Sequence, residues 1–318
     1  MNLLITGGAG FIGTNFVKRQ LRDNPLQASK IVVLDKLTYA GNLKNFSSEE
    51  RELFEFIEGD ICNPDQVSRL IKQADYVVNF AAESHVDRSI ENATDFVQTN
   101  VFGTQVILDA CRKFGVDRFL QISTDEVYGS IREGSWTEDY PLLPNSPYSA
   151  SKAGADLLVR AYGKTYGFHT NITRCSNNYG PYQFLEKVIP LFVTNLILGR
   201  KLPIYGNGRN IRDWLHVEDH CHGIELVLQG GRDGEIYNIG GGIELENIEL
   251  ANLILNQFNV GAERVEYVVD RLGHDIRYSV DVSKIESELG YKPQISFIDG
   301  LASTIDFYKQ NHSWWNNR

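Results

Sequence analysis

The stretch Gly7-Gly-Ala-Gly10-Phe-Ile-Gly13 decides the fold of this chain. It follows an apolar run at residues 3–6, typical of a buried strand, and opens an amphipathic pattern over residues 11–22 that predicts a helix. Glycine allows the tight turn between such elements and lets a phosphate approach the backbone. The helix N-terminus adds unpaired N–H groups and a partial positive charge. The motif therefore predicts a strand, turn and helix that bind the pyrophosphate of a dinucleotide.

The same alternation of elements continues through the first half of the chain. Short apolar runs predict strands at residues 31–34, 54–58, 76–80 and 119–123, with helices predicted between them at 64–71 and 96–113. Strands that alternate with helices indicate an α/β fold, here a Rossmann-like, doubly wound parallel sheet. We expect an NAD-binding domain at 1–176 plus roughly 210–242, and a smaller C-terminal α/β substrate domain at roughly 177–209 and 243–318.

The overall composition narrows the class of protein. The chain has 318 residues and a net charge of -10, which argues against broad nucleic-acid binding. No apolar run approaches the ~20 residues that span a bilayer, and no secretory signal is visible. The four cysteines, at 62, 111, 175 and 221, form no CxxC pair, which favours reduced thiols over a disulfide framework or zinc site. We therefore expect a cytoplasmic protein without a membrane or nucleic-acid partner.

Carboxylates and alanines after the next strands indicate which dinucleotide binds. Asp35 ends the second predicted strand, where a carboxylate accepts hydrogen bonds from a ribose diol and repels a 2′-phosphate. NAD is thus predicted over NADP, although the neighbouring Lys36 could tolerate a phosphate. Asp60 could hydrogen-bond the adenine, and Ala81 and Ala82 allow a close approach to the cofactor. The alternative is an α/β protein whose nucleotide cleft is empty or regulatory.

Two further motifs carry chemistry. The fifth predicted strand runs into Thr124-Asp-Glu126, which sets two carboxylates at its carboxyl end. Tyr148 and Lys152 are four residues apart and share one face of a predicted helix at 148–166. A nearby ammonium should lower the pKa of the tyrosine and make it a general base. The plainer alternatives are an ordinary amphipathic helix for the Tyr–Lys pair and a solvated loop or helix cap for the acids.

With these motifs the whole chain resembles the extended short-chain dehydrogenase/reductase superfamily, and within it the family of dTDP-glucose 4,6-dehydratases. The Thr124-Asp-Glu triplet is the specific part of this resemblance, since sugar-nucleotide epimerases of this fold lack the acid pair. The other matching stretches include residues 35–42, 81–89, 174–181, 208–214 and 270–278. The resemblance implies a hydro-lyase that makes a 4-keto-6-deoxy sugar nucleotide, an early step towards deoxysugars such as rhamnose.

The resemblance also implies roles for individual residues. Tyr148, with Lys152, removes the 4-hydroxyl proton while hydride leaves C4, and Thr124 hydrogen-bonds that hydroxyl. Glu126 removes the C5 proton, Asp125 protonates the departing C6 hydroxyl, and hydride returns to C6, so NAD should stay tightly bound through the cycle. The NAD-binding set that the resemblance implies is Gly7, Gly10, Phe11, Ile12, Gly13, Asp35, Lys36, Thr38, Asp60, Ile61, Ala81, Ala82, Thr99, Tyr148 and Lys152.

The substrate's nucleotide and sugar are expected to meet a second set of residues. Arg212 and Arg271 should grip the pyrophosphate with help from Asn177, and Tyr205 could pack against the base. The full implied set is Ser84, His85, Thr124, Asn177, Lys187, Val188, Pro203, Tyr205, Arg212, Asn247, Arg271, His274 and Tyr278. The run His216-Val-Glu-Asp-His220-Cys-His222 lacks the spacing of a zincin, so no metal is expected.

Several alternatives remain open at this stage. The nearest are a 4,6-dehydratase for another nucleotide, a 4-epimerase and a decarboxylase of a sugar acid. A non-catalytic NAD sensor or scaffold is the alternative from another class, although a sensor has no need of Thr124, Tyr148 and Lys152 together. By resemblance we expect a homodimer that pairs through helices at residues 93–113 and 148–166, whose apolar residues could equally be internal core.

Overall fold

The computed structural model describes residues 1–270 and 272–316. Its strands are β1 Asn2–Thr6, β2 Lys30–Asp35, β3 Glu55–Glu58, β4 Tyr76–Asn79, β5 Arg118–Thr124, β6 Thr170–Cys175, β7 Asn177–Tyr179, β8 Leu202–Tyr205, β9 Ile211–His216, β10 Ile236–Ile239, β11 Glu244–Glu246 and β12 Val265–Val268. Its α-helices are α1 Phe11–Asp23, α2 Ser48–Arg51, α3 Pro64–Ile71, α4 Val86–Glu91, α5 Ala93–Phe96, α6 Thr104–Phe114, α7 Pro147–Tyr166, α8 Val188–Ile197, α9 Val217–Gly230, α10 Asn247–Gln257, α11 Ser283–Leu289, α12 Phe297–Gln310 and α13 His312–Trp315.

Seven parallel strands form the main sheet, in the order β10-β6-β5-β4-β1-β2-β3. β1 lies inside the sheet between β2 and β4, with Thr6 beside Leu34 of β2 and Asn79 of β4. The order reverses at β1, and ligands of such sheets bind where the direction of winding changes, beyond the carboxyl ends of the strands. The predicted doubly wound α/β fold is confirmed, and the predicted strands and helices of the first half agree to within a few residues.

Two small sheets build the second unit. β7, β9 and β11 form one sheet and β8 and β12 the other. A separate apolar core, with Phe192, Trp214, Ile254 and Tyr308 among its buried side chains, lies between these strands and helices α8, α10 and α12. β9 falls within the stretch expected to belong to the NAD-binding domain, yet it pairs with β7 and β11, because the chain returns to the main sheet only through α9 and β10.

A π-helical segment, Val97–Gly103, joins α5 to α6 in one continuous helix. The wider turn brings the buried side chain of Asn100 to α7, where its Nδ2 atom donates to the Ser151 hydroxyl at 2.8 Å. The same side chain pairs with both backbone groups of Glu83 in the loop after β4. π-helical turns are rare and are often found at functional sites. No helix among the described residues is long and apolar enough to cross a membrane.

Candidate active site

The glycine turn after β1 is shaped for a close ligand. Gly7 has φ +69°, and a Cβ atom there would lie 2.5 Å from the Ala81 backbone nitrogen. A Cβ on Gly13 would lie 2.3 Å from the Gly7 carbonyl oxygen, so this position permits the contact between α1 and the turn. Gly10 offers no side-chain cap to α1, and the first turn of that helix carries no acidic residue. The exposed N–H groups and positive helix end fit the pyrophosphate of NAD.

Beside the turn, Asp35 is buried and oriented by the backbone. Its carboxylate accepts hydrogen bonds from the Ala9 and Leu37 N–H groups at 2.9 and 2.8 Å. Burial raises the pKa of Asp35, and these two hydrogen bonds oppose the shift. The nearby ammonium of Lys36 lies 2.7 Å from the Asp60 carboxylate. The cation that could have favoured a 2′-phosphate is therefore already paired with an acid, which strengthens the preference for NAD.

The catalytic candidates meet where β5 ends. Thr124 is its last residue, and a 3-10 helix, Asp125–Tyr128, starts directly after it. The Thr124 hydroxyl interacts with the Tyr148 hydroxyl and donates to Asp125 Oδ1 at 3.2 Å. The backbone N–H of Glu126 donates to the same threonine oxygen at 3.3 Å. One threonine thus ties the phenol and the acid pair together at the carboxyl end of the strand.

The surroundings of Asp125 favour its neutral form. Its side chain is buried, and its Oδ2 atom has no hydrogen-bond partner among the described protein groups. Burial raises its pKa well above the usual range, and the negative charges of Glu126 and Asp213 raise it further. Asp213, on β9, is itself buried and has a pKa raised to about 6, mainly by burial. A carboxyl group that is protonated at neutral pH can act as a general acid.

The structure corrects the expectation for Tyr148 and Lys152. Both side chains are buried on α7, but burial and the charge of Glu126 raise the pKa of Tyr148 well above its ordinary value. The Lys152 ammonium donates to the Ile122 carbonyl at 2.6 Å, and burial lowers its own pKa. The predicted lowering of the tyrosine pKa by lysine is not found here, because burial of the phenol and the charge of Glu126 dominate its shift. Sequence spacing shows a shared helix face but shows neither burial nor neighbouring acids.

One cleft brings together most of the expected residues. It runs along the carboxyl ends of β1, β2, β4 and β5. It is lined by all the residues predicted to bind NAD and by the five predicted catalytic residues, Thr124, Asp125, Glu126, Tyr148 and Lys152. Ser84, Asn177 and Lys187, which were predicted to bind the substrate, also line it. The NAD and catalytic residues thus share one continuous space. Sequence reasoning omitted Cys175, Ser176, Asn178, Gln183 and Phe184, which also line it. The rule that ligand residues follow strands could have found the first three, since they lie at or just after the end of β6.

The other described residues of the expected substrate set are not among those that line this cleft. Arg212 stacks on the Tyr278 ring at 4.1 Å and donates to the Asp275 carbonyl at 3.0 Å. Both residues interact electrostatically with the catalytic acids, Arg212 with Asp125 and Tyr278 with Glu126, which brings them close to the reaction centre. The Tyr205 ring contacts His274, whose Nδ1 atom lies 2.6 Å from the Asp270 carboxylate.

Four other expected residues lie on the second unit or at its border. Pro203 is in β8, Asn247 begins α10 and Val188 begins α8. His85 precedes α4, and its Nε2 atom lies 3.4 Å from the Glu186 carboxylate. Arg271 falls outside the described residues. The contact of each of these residues with a nucleotide remains a prediction.

The histidine-rich run serves the fold. His216 caps α9 by accepting from the Glu218 N–H group, and the buried His220 pairs through Nδ1 with Asn178 Oδ1 at 2.9 Å. Burial lowers the pKa of His220 to about 3, so it is neutral. Within the described residues, no group of three or more His, Cys, Asp or Glu side chains is arranged to hold a metal ion.

Comparison with known proteins identifies the family of this chain. Residues 4–304 match the model of the GDP-mannose 4,6 dehydratase family. The chain belongs to that family. It is 53% identical to a dTDP-glucose 4,6-dehydratase of Actinoplanes sp., over 99% of this chain and 100% of the relative. It is 55% identical to the dTDP-glucose 4,6-dehydratase of Streptomyces antibioticus, over 99% and 94% of the two chains.

A solved structure of this dehydratase family is also similar. The dTDP-glucose 4,6-dehydratase of Streptomyces venezuelae, crystallised with NAD bound, superposes with a TM-score of 0.98 at 55% identity. The match covers 100% of this chain and 99% of that one. Similarity at this level over the full length extends to the substrate unit as well as to the NAD-binding sheet. The resemblance inferred from the motifs is confirmed.

Proposed function

We propose that this protein dehydrates dTDP-glucose to dTDP-4-keto-6-deoxyglucose, with NAD as a cofactor that is regenerated in each cycle. The observation that carries the proposal is the buried Asp125, whose pKa is raised by burial, beside Glu126 and Tyr148 in one cleft. Elimination of water needs both a base and an acid, and this pair supplies two carboxyl groups in different environments. The relatives that match this chain over nearly their full length include dTDP-glucose 4,6-dehydratases.

The residues at the sugar divide the work as follows. Tyr148 accepts the 4-hydroxyl proton, and Thr124 orients that hydroxyl through its own hydrogen bond to the phenol. Once C4 is a ketone, the C5 proton is acidic and Glu126 removes it. Asp125 gives its proton to the C6 hydroxyl, which leaves as water. Lys152, fixed by the Ile122 carbonyl, holds a positive charge on the face of α7 that carries Tyr148.

When bound, NAD would supply the hydride acceptor for C4 and the hydride donor for C6. The glycine turn, Asp35 and Asp60 would hold its phosphates, ribose and adenine, and Ala81 and Ala82 leave room for its approach. Asp35 presents a carboxylate that is aligned by two backbone N–H groups and would repel a 2′-phosphate. The chain therefore uses NAD rather than NADP.

Residues of the second unit would bind the nucleotide of the substrate. Arg212 carries a buried guanidinium that is already oriented by Tyr278 and the Asp275 carbonyl. A preoriented guanidinium suits a pyrophosphate, because its planar N–H groups match phosphate oxygens. Tyr205, which is partly exposed, offers a ring on which a base can stack. This proposal divides the chain into a cofactor unit and a nucleotide-sugar unit, with β9 in the latter.

Incubation with dTDP-glucose tests the proposal directly. We expect a 4-keto-6-deoxy sugar nucleotide, detected by mass spectrometry as the loss of one water and by absorption of its enolate in alkali. UDP-glucose and GDP-mannose, tested in parallel, measure base selectivity. Recovery of unchanged sugar, or of a C4 epimer alone, would contradict a dehydratase. Tight NAD binding without turnover of any sugar nucleotide would favour a sensor.

We also propose a homodimer and a cytoplasmic location. The continuous helix at residues 93–114 packs against α7, and both expose large apolar side chains, Val97 and Phe102 on the first, Leu157 and Tyr166 on the second. Isologous pairing of these two helices with a second copy would bury both faces. Analytical ultracentrifugation should show a dimer, and Leu157→Glu should shift it towards monomer.

The state of the cysteines supports the proposed cytoplasmic location. All four cysteines are free thiols, which suits a reducing compartment.

A further inference from the structure

Three loops meet beside the proposed NAD cleft and contact one another through side chains. The Tyr39 ring, in the loop after β2, lies 5.4 Å from the Phe184 ring in an edge-on arrangement. The Arg88 guanidinium carbon lies 4.0 Å above the centre of the same tyrosine ring. Tyr39 also interacts through its hydroxyl with the Glu83 carboxylate. One tyrosine thus joins the loops that follow β2, β4 and β7.

A second set of contacts fastens the same loops. Arg88 donates to both oxygens of Glu186, at 2.6 and 3.2 Å, in a fork-like pair. His85 Nε2 lies 3.4 Å from the same carboxylate. The Lys187 ammonium donates to the Ser84 carbonyl at 3.0 Å. A two-bond arginine–carboxylate pair fixes geometry better than a single contact, although its half-exposed position makes it modest in strength.

The joined loops border the cleft, while the residues that join them lie outside it. Thr38, Ala40 and Gly41 line the cleft on one side of Tyr39, and Glu83, Ser84, Phe184 and Lys187 line it near Arg88 and Glu186. Tyr39, Arg88 and Glu186 are absent from the lining. These three side chains therefore do not line the cleft themselves but hold together the loops that do.

We propose that Tyr39, Arg88 and Glu186 form a clasp that keeps the three loops together and slows the release of NAD between turnovers. This inference rests on the proposed use of NAD. In that cycle the cofactor ends in the oxidation state in which it began, so the reaction gains nothing from exchange. Each clasp residue is a positioning residue, and the Arg88 guanidinium is shared by both the tyrosine and the carboxylate contact.

A chase experiment measures the clasp without any sugar. Protein loaded with isotopically labelled NAD is mixed with excess unlabelled NAD, and the label that remains bound is followed over time. Arg88→Met removes the ion pair and the ring contact together and should raise the dissociation rate constant about fivefold. Arg232→Met is the matched control, because Arg232 forms a similar arginine–carboxylate pair with Glu288, outside both the cleft and the proposed dimer helices. The control should release label at the wild-type rate.

Combining substitutions separates a clasp from general loosening. Glu186→Gln should also speed release, and Arg88→Met with Glu186→Gln should be no faster than Arg88→Met alone, because both break the same contact. Additive effects, or equal rates in all variants, would overturn the clasp. Arg88→Lys keeps the positive charge but loses the two-bond pair with Glu186, and its NAD dissociation rate constant should lie between those of the wild type and Arg88→Met. If Arg88→Met does not fold, Tyr39→Leu provides the test. Because no sugar is present, failure of the dehydratase proposal would not alter these rates.

Discussion

Glu126→Gln should separate the first half of the reaction from the second. Glutamine keeps the size of the side chain but can neither accept the C5 proton nor carry a negative charge. That charge matters to both neighbours, since it raises the pKa of Tyr148 and of Asp125. The substitution therefore removes the base for elimination and, at the same time, lowers the pKa of the phenol that accepts the 4-hydroxyl proton.

The two effects have opposite signs on the two steps. Loss of a positioned general base slows proton transfer by about 10²- to 10⁴-fold, equivalent to about 3–5 kcal/mol in the barrier to elimination. Oxidation at C4 should proceed at or above its normal rate, because a phenol of lower pKa ionises more readily. With fast oxidation and slow elimination, reduced nicotinamide should accumulate when dTDP-glucose is added.

Rapid mixing tests this split. The near-ultraviolet absorbance of reduced nicotinamide should rise in one phase in Glu126→Gln and then persist, and the sugar should take up no deuterium at C5 from heavy water. Glu133→Gln, an exposed carboxylate in the loop after β5, is the control and should turn over normally. Equal slowing of oxidation and elimination in Glu126→Gln, or deuterium at C5, would refute the assignment of Glu126 as the base.

Three other changes probe the site and its support. Asp125→Asn should keep deuterium uptake at C5 but slow water loss by about 10²-fold or more. Because the pKa of Asp125 is raised in the folded state, the wild type should lose folding stability as pH rises above the ordinary aspartate range. The free energy of unfolding of the variant should fall less steeply between acid and neutral pH, and a fall parallel to that of the wild type would contradict the raised pKa. Arg174→Met leaves the buried Asp156 without its ion-pair partner at 2.9 Å. The free energy of unfolding should fall by about 3–5 kcal/mol and the melting temperature by roughly 5–7 °C. An unchanged melting temperature would contradict a stabilising role of the Arg174–Asp156 pair. Gly13→Ala should prevent retention of NAD through gel filtration, since its Cβ would lie 2.3 Å from the Gly7 carbonyl oxygen, whereas a fully loaded variant would show that the turn can adjust.

The cofactor half of the site was predictable because its determinants are local. The turn at Gly7 and Gly13, the acid that ends β2 and the residues after β4 all follow a strand directly. Parallel strands place their carboxyl ends at one edge of the sheet, so the predicted strand ends are enough to show that these residues lie close together. The same rule gathered Asp125 and Glu126 with the cofactor site, but not with the second unit.

The contacts and pKa shifts that could not be predicted from the sequence depend on residues far apart in the chain and on burial. Arg212 and Tyr278 stack on each other from positions far apart in the chain, and Asp213 acts on Asp125 from a different sheet. No local pattern encodes these contacts. The pKa of Tyr148 was predicted with the wrong sign for the same reason, since the spacing to Lys152 is visible in the sequence but burial and the charge of Glu126 are not.

The buried charges explain why the catalytic helix is anchored so firmly. Asp125 and Asp213 are both buried, and the nearby Asp213 carboxylate makes ionisation of Asp125 still less favourable. α7, which carries Tyr148 and Lys152, is tied to β6 one turn further on by the buried Asp156–Arg174 pair. A buried pair of this kind contributes little net stability but fixes one arrangement, because any other leaves a charge unpaired. The pair therefore holds α7 in one position, and with it the Tyr148 phenol beside Thr124.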